Sequence, residues 1–363
     1  VDLGSTDYMT VLATELSGSG SDFDVVTIKD VPGYATLVQK NTLESLDDYI
    51  TDAGINLADF NGITDQVTVD GSLYELPFRS DYWLIYYNKD VFDAAGIAYP
   101  SNDMTMEDYD ALARQLTDTT YGSQVYGCHY HTWRSAVELF GILDGKHSIL
   151  DGNYDWMIPY YDMILSEEDD GVCQTYTDLS TEGLHYSAAF SNGNVAMMNM
   201  GSWFISTLIS NLDSGEYDSS LCGNWGIASY PHPDGAEAGS TIATITGLAV
   251  TSASANKDAA FDFVNWVSGT EGAKVMASTG NFPAIMTDDV INTIAGMAGF
   301  PTDEGSKEAL NITNAYLEVP YAENVSEINS ILDTYHTSIM NREVTVEEGV
   351  ASMNEQVGKI LNQ

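Results

Sequence analysis

Basic residues are scarce in this chain of 363 residues. Twelve Lys and Arg stand against 54 Asp and Glu, for a formal net charge of −42. Nucleic acids and anionic bilayers are held by clustered cations, so the composition excludes both as partners. It also disfavours an anionic ligand, which the long-range field would repel. The acidity suits a secreted or surface protein kept soluble by like charge, and equally a source organism whose proteins are generally acidic.

Cysteine is scarce too: Cys128, Cys173 and Cys222 form no metal-ligand spacing, and an odd count leaves at least one thiol unpaired. Two readings stand open. In an oxidising compartment Cys173 and Cys222 pair and Cys128 stays free; otherwise all three are buried thiols. No run of 18 apolar residues occurs, as a transmembrane helix would need. No signal-peptide pattern remains.

Catalytic signatures are missing. The chain has no G-x-S-x-G, no H-E-x-x-H and no G-x-x-x-x-G-K-[ST]. Asp151-Gly152-Asn153-Tyr154-Asp155 opens like a calcium loop, but position six is Trp156 rather than glycine and position twelve is Asp162. Cys128, His129 and His131 are metal-ligand types, yet an alternating His pair on a strand serves as well for polar lining. We therefore expect no catalytic residue, no metal and no cofactor. Carboxylates are so numerous that counting cannot remove an acid–base pair.

What is present is aromatic: 22 Tyr and 6 Trp. A sugar ring offers one face of C–H groups, which stacks on an aromatic ring, and a rim of hydroxyls, which wants Asp, Asn, Lys, His and Tyr. Strand-like runs alternate with helical ones, which argues an α/β fold. Asp24–Ile28 reads as a strand, and so does the aromatic, β-branched run Tyr82–Tyr87. Thr105–Leu116 reads as a helix with Thr105 and Asp108 as a capping pair. Ala260, Phe261, Val264 and Val267 mark another, between Asn256 as N-cap and Gly269 past its end. Thr345-Val346-Glu347-Glu348 is a capping box for a last helix with Val346, Val350, Met353, Val357 and Leu361 on one stripe. Ser17-Gly18-Ser19-Gly20-Ser21 reads as a flexible loop, and Glu167-Glu168-Asp169-Asp170 as a solvated loop.

Asp70-Gly71-Ser72-Leu73-Tyr74-Glu75-Leu76-Pro77, followed by Tyr86-Tyr87-Asn88-Lys89-Asp90, resembles the "DGK-Y-lP" and "YYNKD" signature of family-1 extracellular solute-binding proteins, the sugar receptors of ABC importers. Ala189-Phe190-Ser191-Asn192-Gly193 through Gly201-Ser202-Trp203 resembles the family's "aF-sGkaAM--nGsW". Trp225-Gly226-Ile227-Ala228, Thr246-Gly247-Leu248-Ala249, Asn256-Lys257-Asp258-Ala259-Ala260 and Thr279-Gly280-Asn281-Phe282-Pro283-Ala284 extend the likeness over nearly the whole chain.

The resemblance implies a two-lobed fold of the class that binds larger sugars, with a ligand cleft between the lobes. It places chain crossings near Arg79–Tyr82, Ile245–Leu248 and Leu317–Pro320. The N-terminal lobe is then 1–80 plus 248–316, and the C-terminal lobe 81–247 plus 317–363. Family members usually begin with a strand and helix ahead of the segment matching Val1-Asp2-Leu3, so this chain starts late by that comparison. A signal peptide and a lipid-anchoring cysteine are expected before it.

Residue by residue, the resemblance implies ligand contacts from Lys29, Asp30 and Tyr34, and from Asp81 and Tyr82 at the crossing. It adds His129, Tyr130 and His131 from a lining loop, Trp203 as the main stacking ring, and Thr246, Asn281 and Phe282. A charged acceptor such as Asp81 makes the stronger bonds to hydroxyls, unless it is spent on Arg79. Trp133, among Val137, Leu139 and Phe140, reads as core or as ligand platform. Where many relatives carry a tryptophan, this chain has Thr244 and Thr246, which leaves room on that wall or shifts stacking elsewhere, to Phe282 for instance.

The reading that follows is an extracellular, monomeric cell-surface lipoprotein, or a periplasmic protein. It delivers a neutral oligosaccharide to ABC permease subunits by hinge closure. The alternatives are a carbohydrate-active hydrolase with an unrecognised carboxylate pair, and a metal or small-cation binder of the same fold.

Overall fold

The computed structural model describes residues 8–19, 22–119, 124–233 and 235–362. The strands are β1 (Val25–Ile28), β2 (Leu76–Asn88), β3 (Tyr126–His129), β4 (Val195–Gly201), β5 (Trp225–Ser229), β6 (Ser240–Val250) and β7 (Asn314–Leu317). They alternate with helices, as the sequence pattern predicts, and the fold is α/β. The chain condenses into two compact units. The first gathers the segment ending at Asp81 with Ala243–Ile294 and Val319–Asn329; the second gathers Tyr82–Ile242, Ala295–Glu318 and the segment from Ser330.

In the first unit β1 runs antiparallel to the end of β6, with Val25 opposite Val250 and Ile28 opposite Gly247. Helices Val31–Gln39 and Lys257–Ser268 contribute Tyr34, Leu37, Phe261 and Val264 to its core. Asp30 starts the former helix: its Oδ1 accepts the Gly33 N–H at 2.7 Å. In the second unit β2 pairs antiparallel with both β4 and β5, and β3 lies parallel to β4. Every residue of β2 from Ser80 onward is buried, which is why the run Tyr82–Tyr87 is apolar on both faces rather than alternating.

Thr105 and Asp108 exchange reciprocal hydrogen bonds at 3.1 Å ahead of helix Met106–Thr119. The capping box Thr345–Glu348 is complete. On the helix it opens, Val346, Val350, Met353 and Val357 are buried, but Leu361 is 47% exposed and Ile360 takes the buried place. A four-residue step overshoots a 3.6-residue turn, so a stripe extended by fours drifts off its face.

Two local expectations are overturned. Glu167–Asp170 is no solvated loop. Helix Ile158–Asp169 carries most of the run, and Glu167 and Glu168 are buried. Arginines explain it: Arg342 reaches Glu168 at 3.4 Å and Asp169 at 2.8 Å, and Arg114 reaches Asp170 at 2.5 Å. Ser17 to Ser19 close a helix, Tyr8–Ser19, rather than lying in a loop; Gly20 and Ser21 lie outside the described residues, as do Val1–Leu3. Gly269 stands just past the end of helix Lys257–Ser268, as expected. It is extended, at φ −86° and ψ −177°, and leads straight into helix Thr270–Ala277. Asn256 holds the N-cap position without a side-chain cap bond, because its amide is turned to Asp24.

Candidate functional site

The second unit carries an aromatic cluster built from distant segments. Trp83 lies on β2 opposite Gly201 on β4. Trp203 is the first residue of helix Trp203–Ser214, two residues past that glycine. A Cβ on Gly201 would lie 2.1 Å from the Trp203 ring, so glycine is what allows the indole to fold back over the strand end. The Trp203 ring meets Trp83 edge-on at 5.6 Å and 81°, and meets Trp133 at 6.3 Å. Its Nε1–H donates to the Tyr186 hydroxyl at 3.1 Å. His131 stands edge-on to Trp133 at 4.6 Å and to Tyr186 at 5.4 Å, and His185 lies 4.0 Å from Tyr186.

The cluster is open to solvent. Trp133 is 40% exposed, Trp203 and Tyr186 are half-buried and His185 is exposed. Edge-to-face packing holds the rings at fixed angles and leaves apolar faces uncovered. Burial, and secondarily His185, holds the His131 imidazole down to about 4. Burial, then His131, holds His129 down to about 3. Both are neutral at physiological pH and able to donate or accept a hydrogen bond. Rings with free faces beside neutral imidazoles and a phenol can take a ligand that has an apolar face and a hydroxyl rim.

In the first unit Lys29 is exposed beside Asp30. Tyr34 is wholly buried, its hydroxyl accepting the Tyr74 N–H at 3.2 Å. Asp81 makes an ion pair with Arg79 at 2.6 Å and is only 6% exposed. Thr246 is half-buried on β6, and Asn281 donates to Thr279 at 2.9 Å.

Residues 1–274 match the family model of bacterial extracellular solute-binding proteins. The chain belongs to this family. It is similar to a sugar transporter from Rhizobium etli solved in an open conformation, at 47% identity and a TM-score of 0.91 over 99% of this chain and 90% of that one. An ABC substrate-binding protein from Listeria monocytogenes in complex with cycloalternan shares the fold at 22% identity and a TM-score of 0.79, over 99% of this chain and 90% of that one. A mannitol-binding protein from Pseudomonas aeruginosa is 24% identical over 274 residues, 73% of this chain. The chain spans 61% of the length of that curated relative.

Within this solute-binding protein the named positions divide by burial. Trp203, His131 and the weighed Trp133 come together in the cluster. Tyr82 and His129 lie beneath it, each 1% exposed. The backbone of Tyr82 is tied to Ser202 at both its N–H and its carbonyl. Tyr130 is buried, packed against Tyr109 and Phe140 at 6.4 Å each. Phe282 is fully buried in the first unit's core and offers no stacking face. The Phe282 ring is therefore not free for stacking, while Trp133 in the second unit's cluster is 40% exposed.

Trp83, Tyr186 and His185 were not foreseen. Trp83 hides inside the apolar run of β2, where no periodicity separates one ring from its neighbours. His185-Tyr186 stands just ahead of the Ala189-Phe190 motif, and that adjacency was the one available signal.

A charged network supports the cluster from inside. Arg134, 5% exposed, reaches Glu138 at 3.0 Å and Asp333 at 3.4 Å. Burial raises Glu138 and Glu318, and Arg134 pulls both back. Glu318 faces Trp83 and Ser135. The net shift of both acids stays upward, so Arg134 offsets only part of the effect of burial. The arrangement fixes helix Ser135–Ile142 behind the rings, and Glu138, at 0% exposure, is out of reach of a substrate.

A groove of about 500 Å³ lies elsewhere in the unit, along Gly96–Ser101 and helix Met106–Thr119, and shares no lining residue with the cluster. Volume does not select the site; ring faces and hydroxyl partners do. Among the described residues the calcium-like stretch is spent on local turns and on the last helix: Asp151 accepts the Ser148 N–H, Asn153 the Asp155 N–H, and Asp155 the Asn354 amide.

Proposed function

We propose that this chain binds a neutral oligosaccharide on the Trp203–Trp133–Tyr186 surface and hands it to ABC permease subunits without changing it. The observation that carries the reading is the exposed aromatic cluster flanked by the neutral His131 imidazole, on a chain whose 47%-identical relative is a sugar transporter. Trp203 and Trp133 supply stacking faces; His131, His185 and the Tyr186 hydroxyl supply the rim. Lys29, Asp30, Asp81, Thr246 and Asn281 are the first unit's polar candidates. Capture by hinge closure follows from differential affinity, since a ligand stabilises whichever arrangement gives it more contacts. An extracellular, lipid-anchored or periplasmic placement and a monomeric state complete the proposal.

The test is a thermal-shift screen over oligosaccharides, because a ligand of the folded state raises apparent stability by mass action. The best hit is then incubated with the protein and analysed for products. We expect stoichiometric binding with the sugar intact. Repeated turnover would favour a hydrolase instead and sink the binding-only reading.

Asp81 gives a second test. Asp81→Asn keeps the shape and removes the charge that both Arg79 and a sugar hydroxyl would use. We expect affinity to fall, read by calorimetry beside a melting curve. A lowered melting point with unchanged affinity per folded molecule would leave Asp81 a structural partner of Arg79 alone.

A further inference from the structure

The three thiols do not fall where an oxidised Cys173–Cys222 pair requires. All are buried and unbridged. Cys222 sits on the short helix Ser219–Cys222, its thiol against the Asp218 carbonyl at 3.7 Å. Cys173 instead adjoins Cys128, and this corrects the pairing expected from the sequence. The sulfurs of Cys128 and Cys173 and a carboxylate oxygen of Glu167 all lie within 4.8 Å of one another. The backbones already run side by side, the Cys128 N–H pointing at the Val172 carbonyl at 3.4 Å.

We propose that Cys128 and Cys173 are a redox pair that closes into a disulfide when the chain meets a thiol–disulfide oxidant. Proximity of the two sulfurs is the first requirement, and the adjacent backbones supply it without a long-range movement. The second is a proton acceptor. The Cys128 thiol directs its hydrogen to the Glu167 carboxyl at 3.7 Å; that group is an ionised base beside the attacking sulfur until burial raises it to about 8 as the fold closes. Attack on the oxidant's disulfide gives a mixed disulfide and expels one oxidant thiol. The second protein thiol then displaces the other, leaving one S–S bond in the protein and a dithiol in the oxidant. Two S–H bonds break, and two electrons and two protons pass to the oxidant.

Burial pushes the Cys128 thiol well above its ordinary value. For Cys173 the hydrogen bond to Cys128 lowers it, and burial together with nearby acids leaves a net upward shift. Buried thiols of raised pKa react slowly, because the thiolate is the nucleophile. The bond therefore forms as the chain folds and afterwards resists reduction. It would close the chain from Cys128 to Cys173 and anchor the end of β3, from which His129–Trp133 leads into the aromatic cluster.

The compartment rests on the extracellular reading above, but the chemistry is tested independently of it. Wild-type protein is refolded in glutathione disulfide, then denatured without reductant; its thiols are counted and its digest mapped by mass spectrometry. We expect one free thiol, Cys222, a crosslinked Cys128–Cys173 peptide, and no free thiol in Cys222→Ser treated alike. Oxidised protein should also melt higher than reduced protein. Three thiols after refolding, a crosslink that includes Cys222, or zinc retained with both thiols intact would each overturn the pair. Protein secreted into an oxidising compartment is mapped alongside. If it arrives reduced while the refolded sample is crosslinked, the compartment reading fails and the pair stands.

Discussion

Trp203→Ala should weaken oligosaccharide binding by about 30-fold or more, which corresponds to about 2 kcal/mol for a central aromatic anchor. Two losses combine. The stacking face disappears, and Tyr186 loses the indole N–H that orients its hydroxyl at 3.1 Å. The edge contact with Trp83 goes as well, so Trp133 is left less constrained. Since Trp203 is half-buried, some stability is lost with it, and affinity must be measured below the variant's own melting transition. Trp203→Phe should recover part of the affinity, because a smaller ring keeps a face but not the N–H. Unchanged affinity in folded Trp203→Ala would remove the cluster from the binding surface.

The second large effect concerns stability rather than binding. Glu75, in the stretch that carries the "DGK-Y-lP" likeness, is fully buried beneath β6. A Cβ on Gly247 would meet its Oε2 at 2.0 Å. Both carboxylate oxygens are buried without a hydrogen-bond partner among the described residues. Burial, and secondarily the charge of Asp30, raises its pKa from 4.5 to about 8. The protonated acid is thus the form the fold accepts. Between pH 4.5 and 8 the unfolded chain has released this proton while the folded chain still holds it, so stability falls as pH rises through that window.

The shift corresponds to a penalty on the order of 5 kcal/mol once both states are ionised. Glu75→Gln removes it. The variant should match wild type near pH 5 and be several kcal/mol more stable near pH 8.5, measured by urea denaturation at both values. Burial also raises Glu167 to about 8, so the difference between variant and wild type is the informative quantity, not either curve alone. Parallel curves would show that Glu75 ionises without cost in the folded state.

Local signals in the sequence were strong wherever neighbours along the chain decide the outcome. The capping boxes at Thr105 and Thr345 need only a hydroxyl and a carboxylate three residues apart, and both formed. The apolar run Tyr82–Tyr87 specified a strand buried on both faces, and the family motifs around it identified the class of protein. Trp203 was legible because it follows Gly201-Ser202 in one of those motifs.

What long-range packing decides was not legible. The acidic run Glu167–Asp170 reads as solvated until Arg114 and Arg342, distant in sequence, are brought against it. Phe282 and Tyr130 look like platforms by position, yet each ring is consumed by a core whose other members come from remote segments. Three cysteines have the same sequence whichever two are neighbours; the approach of β3 to the segment after helix Ile158–Asp169 places Cys128, not Cys222, beside Cys173. The sequence alone therefore determined the α/β class, the family and the aromatic, acidic chemistry of the chain. Only the tertiary structure decided which rings keep a free face and which carboxylates lose their water, because burial is set by contacts between residues far apart along the chain.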